Sequence, residues 1–160
     1  MKIGLLSDTH GFFDKKIYNY FKDVDEIWHA GDIGNIKVLD DLIGFKKTRV
    51  VYGNIDDYKI RNCCKKELIF SINNHNIYIT HIGGKPPNYN KEVINKLKKI
   101  RPTIFICGHS HILNISKDKN FNLLYINPGA AGKVGFQKDR TLVRFQITSK
   151  NVTSMEVIKL

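Results

Sequence analysis

Five short polar motifs follow one another along the chain, and together they contain seven side chains that can bind metal ions. Four of the six histidines belong to these motifs. The motifs are Asp8-Thr9-His10, Gly31-Asp32, Gly53-Asn54, His81 and Gly108-His109-Ser110-His111. Seven ligands are too many for one cation and suit two, and a pair of divalent cations is a common catalyst of attack on phosphate esters.

The spacing within two of the motifs favours ligands that act together. Asp8 and His10 are two residues apart, and in an extended segment this spacing places both side chains on one face. His109 and His111 repeat the pattern after a glycine, which lets the backbone bend. We therefore expect the two side chains of each pair to face the same side of the chain.

The other ligands complete a mixed set of oxygen and nitrogen donors. Asp32 has two carboxylate oxygens and can bridge two cations, Asn54 offers a carbonyl oxygen, and His81 adds an imidazole. The amide nitrogen of Asn54 can also donate a hydrogen bond to a substrate. Oxygen and nitrogen donors without sulfur suit manganese, iron, zinc or nickel better than calcium.

Short apolar runs that end in polar, glycine-rich turns predict the elements that position these motifs. Strands are predicted over residues 2–7, 25–29, 48–52, 67–72, 76–81, 103–107, 122–127, 140–147 and 151–158. Helices are predicted over 14–22, 35–43 and about 91–99. The last three strands alternate as antiparallel strands do. The pattern predicts a single α/β domain over residues 1–160, with two sheets face to face and helices outside.

Every ligand motif directly follows a predicted strand. Side chains just beyond the carboxyl ends of strands in open α/β sheets converge on a shared crevice. The sequence therefore predicts one site that contains all five motifs.

Composition limits the class of protein. The 160 residues are 42% hydrophobic, enough for a core, and no apolar run reaches membrane-spanning length. The apolar start is typical of a first buried strand and not of a secretory signal, so we expect a cytoplasmic protein with no membrane partner. Three cysteines without a CxxC pair argue against a disulfide framework or a thiolate zinc site, and Cys107 is expected to be a buried free thiol.

The net charge of +11 leaves two interpretations open. One is a nucleic-acid partner, and the other, which we favour, is a solvated surface, because the lysines are mostly scattered in pairs. A positive field would in either case help to draw in an anionic phosphate ester.

Taken together, the motifs resemble those of the calcineurin-like metallophosphoesterase superfamily. Within it the chain is similar to the small, cap-free YfcE-type phosphodiesterases, whose fold the eukaryotic retromer subunit shares. The segments Ser7-Asp8-Thr9-His10-Gly11 and Asn127-Pro128-Gly129 both resemble this branch. The resemblance covers nearly the whole chain and implies a four-layer αββα sandwich.

The same resemblance implies a role for each ligand. The first metal would be held by Asp8, His10, Asp32 and His111. The second would be held by Asp32 as the bridge, Asn54, His81 and His109. A hydroxide between the two ions, most simply manganese with zinc, iron or nickel as other choices, would attack phosphorus in line.

One departure from the family pattern concerns the proton donor. Many phosphatases of this superfamily have a histidine directly after Gly-Asn, and here that position is Ile55, which cannot protonate a leaving oxygen. Loss of such an acid costs on the order of 10²–10⁴ in rate, which argues against strong phosphomonoesterase activity. Asp56 follows, and it is interpreted as a group that orients a ligand from behind or, alternatively, as an ordinary turn aspartate.

A second departure follows His81. Family members usually have glycine there, whereas Ile82 precedes Gly83-Gly84 in this chain, so the backbone around His81 is expected to differ. Lys85 in the next segment is a candidate to contact a substrate phosphate, and an ordinary loop before a helix is the alternative.

The leading hypothesis is hydrolysis of a small-molecule phosphodiester at a binuclear divalent-metal site. One alternative is a protein-interaction scaffold of the same fold, and another is a nuclease or cyclic-nucleotide phosphodiesterase. Self-association into a homo-oligomer is also open. Of the remaining histidines, His29 is expected in the core or behind the ligands, and His75 is expected to face solvent in a hairpin turn.

Overall fold

The chain forms twelve strands and four helices, and the computed structural model describes residues 1–160. The strands are β1 (Lys2–Leu6), β2 (Glu26–His29), β3 (Thr48–Val50), β4 (Glu67–Ile72), β5 (His75–Thr80), β6 (Gly84–Lys85), β7 (Asn88–Tyr89), β8 (Ile104–Ile106), β9 (Leu113–Asp118), β10 (Leu123–Pro128), β11 (Thr141–Ile147) and β12 (Val152–Lys159). The helices are α1 (Lys16–Tyr20), α2 (Ile36–Phe45), α3 (Tyr58–Cys63) and α4 (Lys91–Ile100). No helix is long and apolar enough to span a membrane.

The strands form two mixed five-stranded sheets and one small hairpin. The first sheet has the order β12-β11-β1-β2-β3, in which β1, β2 and β3 are parallel and β11 is antiparallel to β1. The second has the order β4-β5-β8-β10-β9, in which β8 is parallel to both β5 and β10. Because parallel strands end at the same edge of a sheet, the motifs after β1, β2 and β3 leave the first sheet together, and those after β5 and β8 leave the second sheet together.

Three apolar cores separate four layers. The central core lies between the sheets and combines Ile3 and Leu5 of β1 with Ile77 and Ile79 of β5. A second core packs α1, α2 and α3 against the outer face of the first sheet, and a third packs α4 against the outer face of the second sheet. The layers are therefore helix, sheet, sheet and helix, which confirms the predicted fold class.

Side-chain alternation explains how one strand serves two cores. In β8, Ile104 and Ile106 enter the central core, while Phe105 between them enters the outer core under α4. Both faces of β8 are thus buried, which is why its sequence is a continuous apolar run. From α4, Val93 and Leu97 lie one turn apart and pack against the same outer face.

The structure differs from the predicted elements in several places. The sequence does not predict α3, a six-residue helix with one buried side chain, Ile60, or β9, an edge strand whose side chains are mostly polar and incompletely buried. The helix predicted over 14–22 is confined to Lys16–Tyr20. Strand β10 is antiparallel only to β9 and is parallel to β8, because β9 carries the chain back before β10 forms.

His75 also corrects an expectation. It begins β5 and is only partly exposed, since the hairpin turn is made by Asn73 and Asn74, both at positive φ. Its Nδ1 lies 3.3 Å from the Thr103 hydroxyl, and its Nε2 is buried without a hydrogen-bond partner. One edge of the ring is therefore buried against the sheet, and the residue is only partly exposed to solvent.

Candidate metal centre

The five polar motifs meet where the two sheets end. Asp8 follows β1, Asp32 follows β2, and Asn54 follows β3, all in the first sheet. His81 follows β5, and the segment with His109 and His111 follows β8 in the second sheet. The carboxyl ends of both sheets therefore supply ligands to one region, as the order of motifs and strands predicts.

Two clusters of candidate metal ligands form in this region. The first contains Asp8, His10 and His111, and the second contains Asp32, His81 and His109. Within each cluster the candidate ligand atoms lie within 4.8 Å of one another. This separation is compatible with one ion per cluster.

The first cluster is built around imidazole nitrogens that face a carboxylate. The Nε2 atoms of His10 and His111 are 3.2 Å apart, and His111 Nε2 is 3.4 Å from Asp8 Oδ1. Asp8 is fully buried, and both of its oxygens accept a hydrogen bond from the His109 amide. The carboxylate is thus anchored by the loop that carries the other histidines.

The second cluster has the same chemistry and includes the amide. His81 Nε2 is 3.2 Å from Asp32 Oδ1 and 3.2 Å from Asn54 Oδ1. The rings of His81 and His109 meet edge to face with centroids 5.2 Å apart. Asn54 therefore joins the three residues of this cluster through its carbonyl oxygen.

Asp32 connects the two clusters. Its Oδ1 faces His81 in the second cluster, and its Oδ2 is 3.6 Å from His10 Nε2 in the first. The two oxygens of one carboxylate thus point to different clusters, which is the arrangement that a bridging ligand needs.

Hydrogen bonds on the far side of two rings direct their Nε2 atoms into the site. His81 Nδ1 donates to the Ala30 carbonyl at 2.8 Å, and His111 Nδ1 donates to Gln137 Oε1 at 2.9 Å. Each ring then presents the lone pair of Nε2 to the cluster, as neutral histidine ligands do. Several lone pairs therefore face one another at about 3 Å, and a cation fits such a donor set.

Charge balance within the site shifts three pKa values. Burial would lower the pKa of His81, but the Asp32 and Asp8 carboxylates outweigh it and raise that pKa. The Asp8 carboxylate, which can accept a hydrogen bond from the protonated His111 ring, raises the pKa of His111. Burial would raise the pKa of Asp32, and the imidazoles of His81 and His10 together with the Ile55 amide lower it instead. The site thus favours an ionised carboxylate in contact with positive charge.

The ligand backbones are not extended, which corrects the geometry expected for the Asp-x-His and His-x-His pairs. Five ligands occupy the left-handed region, with positive φ between 47° and 67°. They are Asp8, His10, Asp32, His109 and His111. This conformation is uncommon outside glycine and concentrates at functional sites. Each pair therefore turns its side chains inward by local backbone twist and not by strand alternation.

Two glycines allow the loops to approach this closely. A Cβ atom at Gly53 would lie 2.0 Å from Asp32 Oδ1, and one at Gly108 would lie 2.0 Å from Ser7 Oγ. Any side chain at these positions would displace a neighbouring ligand loop. The glycines of the Gly-Asn and Gly-His motifs are therefore required by packing around the ligands.

Asp56 lies directly behind the Asn54 loop. It is 3% exposed, and its two oxygens accept hydrogen bonds from the amides of Gly53 and Gly34, each at 2.7 Å. The carboxylate thereby links the loop after β3 to the loop after β2, which carries Asp32. It makes no hydrogen bond to a ligand side chain.

Arg61 in α3 clamps the same loop from outside, and sequence reasoning missed it. Its guanidinium donates to the carbonyl oxygens of Asp56 at 2.7 Å, Asn54 at 3.0 Å and Gly53 at 3.4 Å. The helix that carries it is too short for sequence periodicity to reveal. The signal that was available is an arginine a few residues after the Gly-Asn motif, and that alone is unspecific.

His29 connects two other ligand loops from the core. Its Nδ1 accepts a hydrogen bond from the Gly31 amide at 3.1 Å, and its Nε2 lies 3.0 Å from the Thr9 hydroxyl. The Thr9 hydroxyl in turn donates to the Ile33 carbonyl at 3.0 Å. Complete burial lowers the pKa of His29 to about 4, so the ring is neutral and supports the loops as a hydrogen-bond relay.

The remaining predicted positions lie at the rim. The side chain of Ile55 is 44% exposed, while its amide donates to Asp32 Oδ1 at 3.1 Å. Ile82 also points outward, and the His81 carbonyl still accepts the Gly108 amide at 3.0 Å, which ties His81 to the loop after β8. Lys85 is exposed in β6 and is not among the residues of either cluster.

Two clefts open beside the second cluster. The first cleft, of about 460 Å³, is bordered at the site by Asn54 and His81 and continues past Ile82. The second cleft, of about 350 Å³, is bordered by His109 and continues past Lys85. The segment after His81 separates them, because Ile82 lines the first and Gly83 lines the second.

Comparison with known proteins shows consistent similarity. The model of the calcineurin-like phosphoesterase superfamily domain matches residues 1–150. A probable metallophosphoesterase of Methanocaldococcus jannaschii is 32% identical over 136 residues, which cover 81% of this chain and 68% of that protein. A structure described as a novel archaeal phosphodiesterase has a TM-score of 0.79 at 23% identity and covers 100% of both chains. Wild-type Vps29 of Entamoeba histolytica in complex with zinc has a TM-score of 0.75 at 15% identity, covering 100% of this chain and 98% of the other.

Proposed function

Because the chain belongs to the calcineurin-like phosphoesterase superfamily and is a metal-dependent phosphoesterase, we propose that it hydrolyses phosphodiesters at a binuclear metal site. The observation that carries the proposal is the position of Asp32. Its Oδ1 lies 3.2 Å from His81 Nε2, and its Oδ2 lies 3.6 Å from His10 Nε2, so one carboxylate serves both clusters.

The donor set supports an assignment of ligands to two ions. The first ion would be held by Asp8, His10, His111 and Asp32. The second would be held by Asp32, Asn54, His81 and His109. Manganese is the ion we propose, because a mixture of carboxylate, amide and imidazole donors without thiolate suits it, and the same set accommodates zinc, iron or nickel.

The chemistry divides between the ions and the chain. Two divalent ions, when bound, supply a water of lowered pKa as the nucleophile and neutralise charge on the phosphoryl oxygens. The chain orients the ester: Asn54 Nδ2 has no hydrogen-bond partner within the protein and borders the first cleft, where it can donate to a phosphoryl oxygen. Ile55 provides no proton, so the leaving oxygen must depart without an acid from this position.

Two features favour a diester over a monoester. The position that carries the acid in many related phosphatases is Ile55, whose side chain points to solvent. In addition, two separate clefts reach the second cluster, one at His81 and one at His109. A phosphodiester has two alcohol arms and a monoester has one, so paired clefts match the shape of a diester.

Hydrolysis assays with and without manganese test the proposal. We expect bis(p-nitrophenyl) phosphate to be cleaved faster than p-nitrophenyl phosphate. Asp32→Asn should lower the diesterase rate by more than about 100-fold, because losing even a group behind the ligands costs up to about 100-fold and Asp32 is itself a proposed ligand of both ions. Asp40→Asn, at an exposed position of α2, is the matched control and should keep the wild-type rate. Full diesterase activity in Asp32→Asn would refute the bridging role.

A further inference from the structure

We propose that the first cleft binds one alcohol arm of the substrate and that this arm is a polyol, such as a glycerol or sugar unit with neighbouring hydroxyl groups. The inference rests on the proposed diesterase function, whose site adjoins the cleft through Asn54 and His81. The volume of about 460 Å³ lies in the range of pockets that bind small ligands, about 300–1,000 Å³.

Two glutamates that line the cleft each have one carboxylate oxygen without a hydrogen-bond partner. Glu67 uses Oε2 to accept from Lys96 at 2.6 Å and from the Tyr78 hydroxyl at 3.0 Å, and its Oε1 has no partner. Glu92 uses Oε1 to accept from Lys96 at 3.0 Å, and its Oε2 has no partner. One carboxylate oxygen of each residue is thus available to a ligand, while the other oxygen fixes the side chain.

Donors line the same cleft. Lys66 is exposed, and its ammonium lies 3.7 Å from Glu92 Oε1, so most of its hydrogen-bonding capacity is free. Arg61 borders the cleft with Nη1 free, since its other nitrogens donate to the Asn54 loop. A hydroxyl group both donates and accepts, so neighbouring hydroxyls match alternating carboxylates and cations.

The mixture of both charge signs in the cleft argues against an ionic arm. Two carboxylates, Glu67 and Glu92, and two cations, Arg61 and Lys66, line the cleft, and Lys96 pairs with both carboxylates from outside this lining. A cationic headgroup would be repelled by the arginine and the lysine, and a second anionic group would be repelled by the glutamates. A neutral polar arm satisfies both kinds of group without an unpaired charge.

The aromatic residues of the cleft argue against a nucleobase. Tyr78 is almost fully buried and stacks on Phe105 with ring centroids 5.1 Å apart. Tyr52 has the Arg61 guanidinium over its ring at 5.0 Å. Both rings are therefore already engaged, whereas base recognition uses aromatic faces that are free for stacking.

Two chromogenic diesters test the inference: p-nitrophenyl phosphate esterified with glycerol, and the same compound with 1-propanol. In either reaction water supplies the oxygen that bonds to phosphorus and the bond from phosphorus to the nitrophenyl oxygen breaks. Nitrophenolate leaves with the electron pair, and the water protons pass to solvent. The two substrates share this leaving group and differ only in the hydroxyls of the arm.

We expect kcat/KM for the glyceryl ester to exceed that for the propyl ester by about tenfold, the effect of one hydrogen bond to a charged group. Glu92→Ala should reduce this preference to about threefold or less by removing one acceptor, and Glu92 is exposed, so the variant should fold. Glu156→Ala is the matched control, because Glu156 also pairs with a cation, Arg144, but lies in β12. The control should keep the full preference.

Other outcomes would overturn the inference. Equal rates for the two esters, or a preference unchanged in Glu92→Ala, would exclude recognition of hydroxyls by this cleft. Faster cleavage of p-nitrophenyl thymidine 5′-phosphate than of the glyceryl ester would indicate a nucleotide arm instead. If neither ester is cleaved, the proposed function fails. Calorimetric titration with glyceryl and propyl methylphosphonate then tests whether the cleft recognises hydroxyl groups. Tighter binding of the glyceryl compound supports the inference, and equal binding overturns it.

Discussion

Asp56→Asn tests whether the carboxylate behind the Asn54 loop holds the metal site together. Both Asp56 oxygens accept backbone amides at 2.7 Å, from Gly34 and Gly53, and asparagine has only one acceptor oxygen. One amide then faces the Nδ2 group without a partner, in a place where the native side chain is 3% exposed. An unpaired buried donor costs about 1–3 kcal/mol, and replacing a charged acceptor adds to this, so we expect a loss of about 3 kcal/mol in unfolding free energy.

The same substitution should weaken metal binding. Gly53 precedes Asn54, whose Oδ1 lies 3.2 Å from His81 Nε2, so a shift of the loop moves a proposed ligand of the second ion. Loss of a group behind the ligands typically costs about 10–100-fold in metal affinity. The loss of about 3 kcal/mol in unfolding free energy expected for Asp56→Asn corresponds to a melting temperature lower by roughly 6–12 °C for a chain of this length.

Scanning calorimetry of the metal-free protein and titration with manganese measure the two effects separately. The control is Asp57→Asn, because Asp57 caps α3 by accepting the amides of Lys59 and Ile60. Asparagine caps helices as well as aspartate does, so the control should change stability by less than about 0.5 kcal/mol. A folded Asp56→Asn variant with wild-type affinity for manganese would refute the positioning role.

Two further predictions concern a buried histidine and the missing acid. The pKa of His29 is about 4 in the folded protein and 6.5 in the unfolded chain, so the unfolded chain binds the proton first as the pH falls. The contribution of His29 to the free energy of unfolding is therefore fully present above pH 6.5 and decreases by about 3 kcal/mol as the pH falls to 4. An NMR titration of the metal-free protein should place the His29 midpoint near 4, and a midpoint near 6.5 would contradict the buried relay. Ile55→His should raise phosphomonoester hydrolysis by about 10²-fold by supplying a general acid, with Ile55→Gln as control. Equal monoester rates in these two variants would mean that proton donation does not limit the reaction.

The fold can be predicted from the sequence because the polar ligand motifs follow apolar runs that form buried strands. A run such as Ile104–Ile106 must be buried on both faces, and the polar motif that follows it must leave the sheet at its carboxyl end. This rule is local and needs no knowledge of contacts between distant residues. It is enough to bring all seven proposed ligands to one edge of the sandwich.

The supporting contacts could not be predicted in the same way, because they join residues that are distant in sequence or lie in elements without a periodic signal. Asp56 contacts Gly34 across 22 residues, and Gln137 contacts His111 across 26. Arg61 depends on α3, whose single buried residue, Ile60, leaves no amphipathic pattern. Side-chain chemistry indicates the ligands, whereas only the folded topology determines what orients them.

The left-handed backbone conformation of the ligand loops is held in place by the chain itself. Each non-glycine residue in this region costs about 1–3 kcal/mol and persists only where the surroundings enforce it. Here the enforcement comes from backbone hydrogen bonds between loops: the Asp8 amide donates to the Gly31 carbonyl at 2.9 Å, the His10 amide to the Asp32 carbonyl at 3.0 Å, and the Gly132 amide to the Asp8 carbonyl at 3.0 Å. These bonds do not involve the ligand side chains. The chain therefore maintains the ligand geometry by itself, and ions would enter a preformed site without having to organise it.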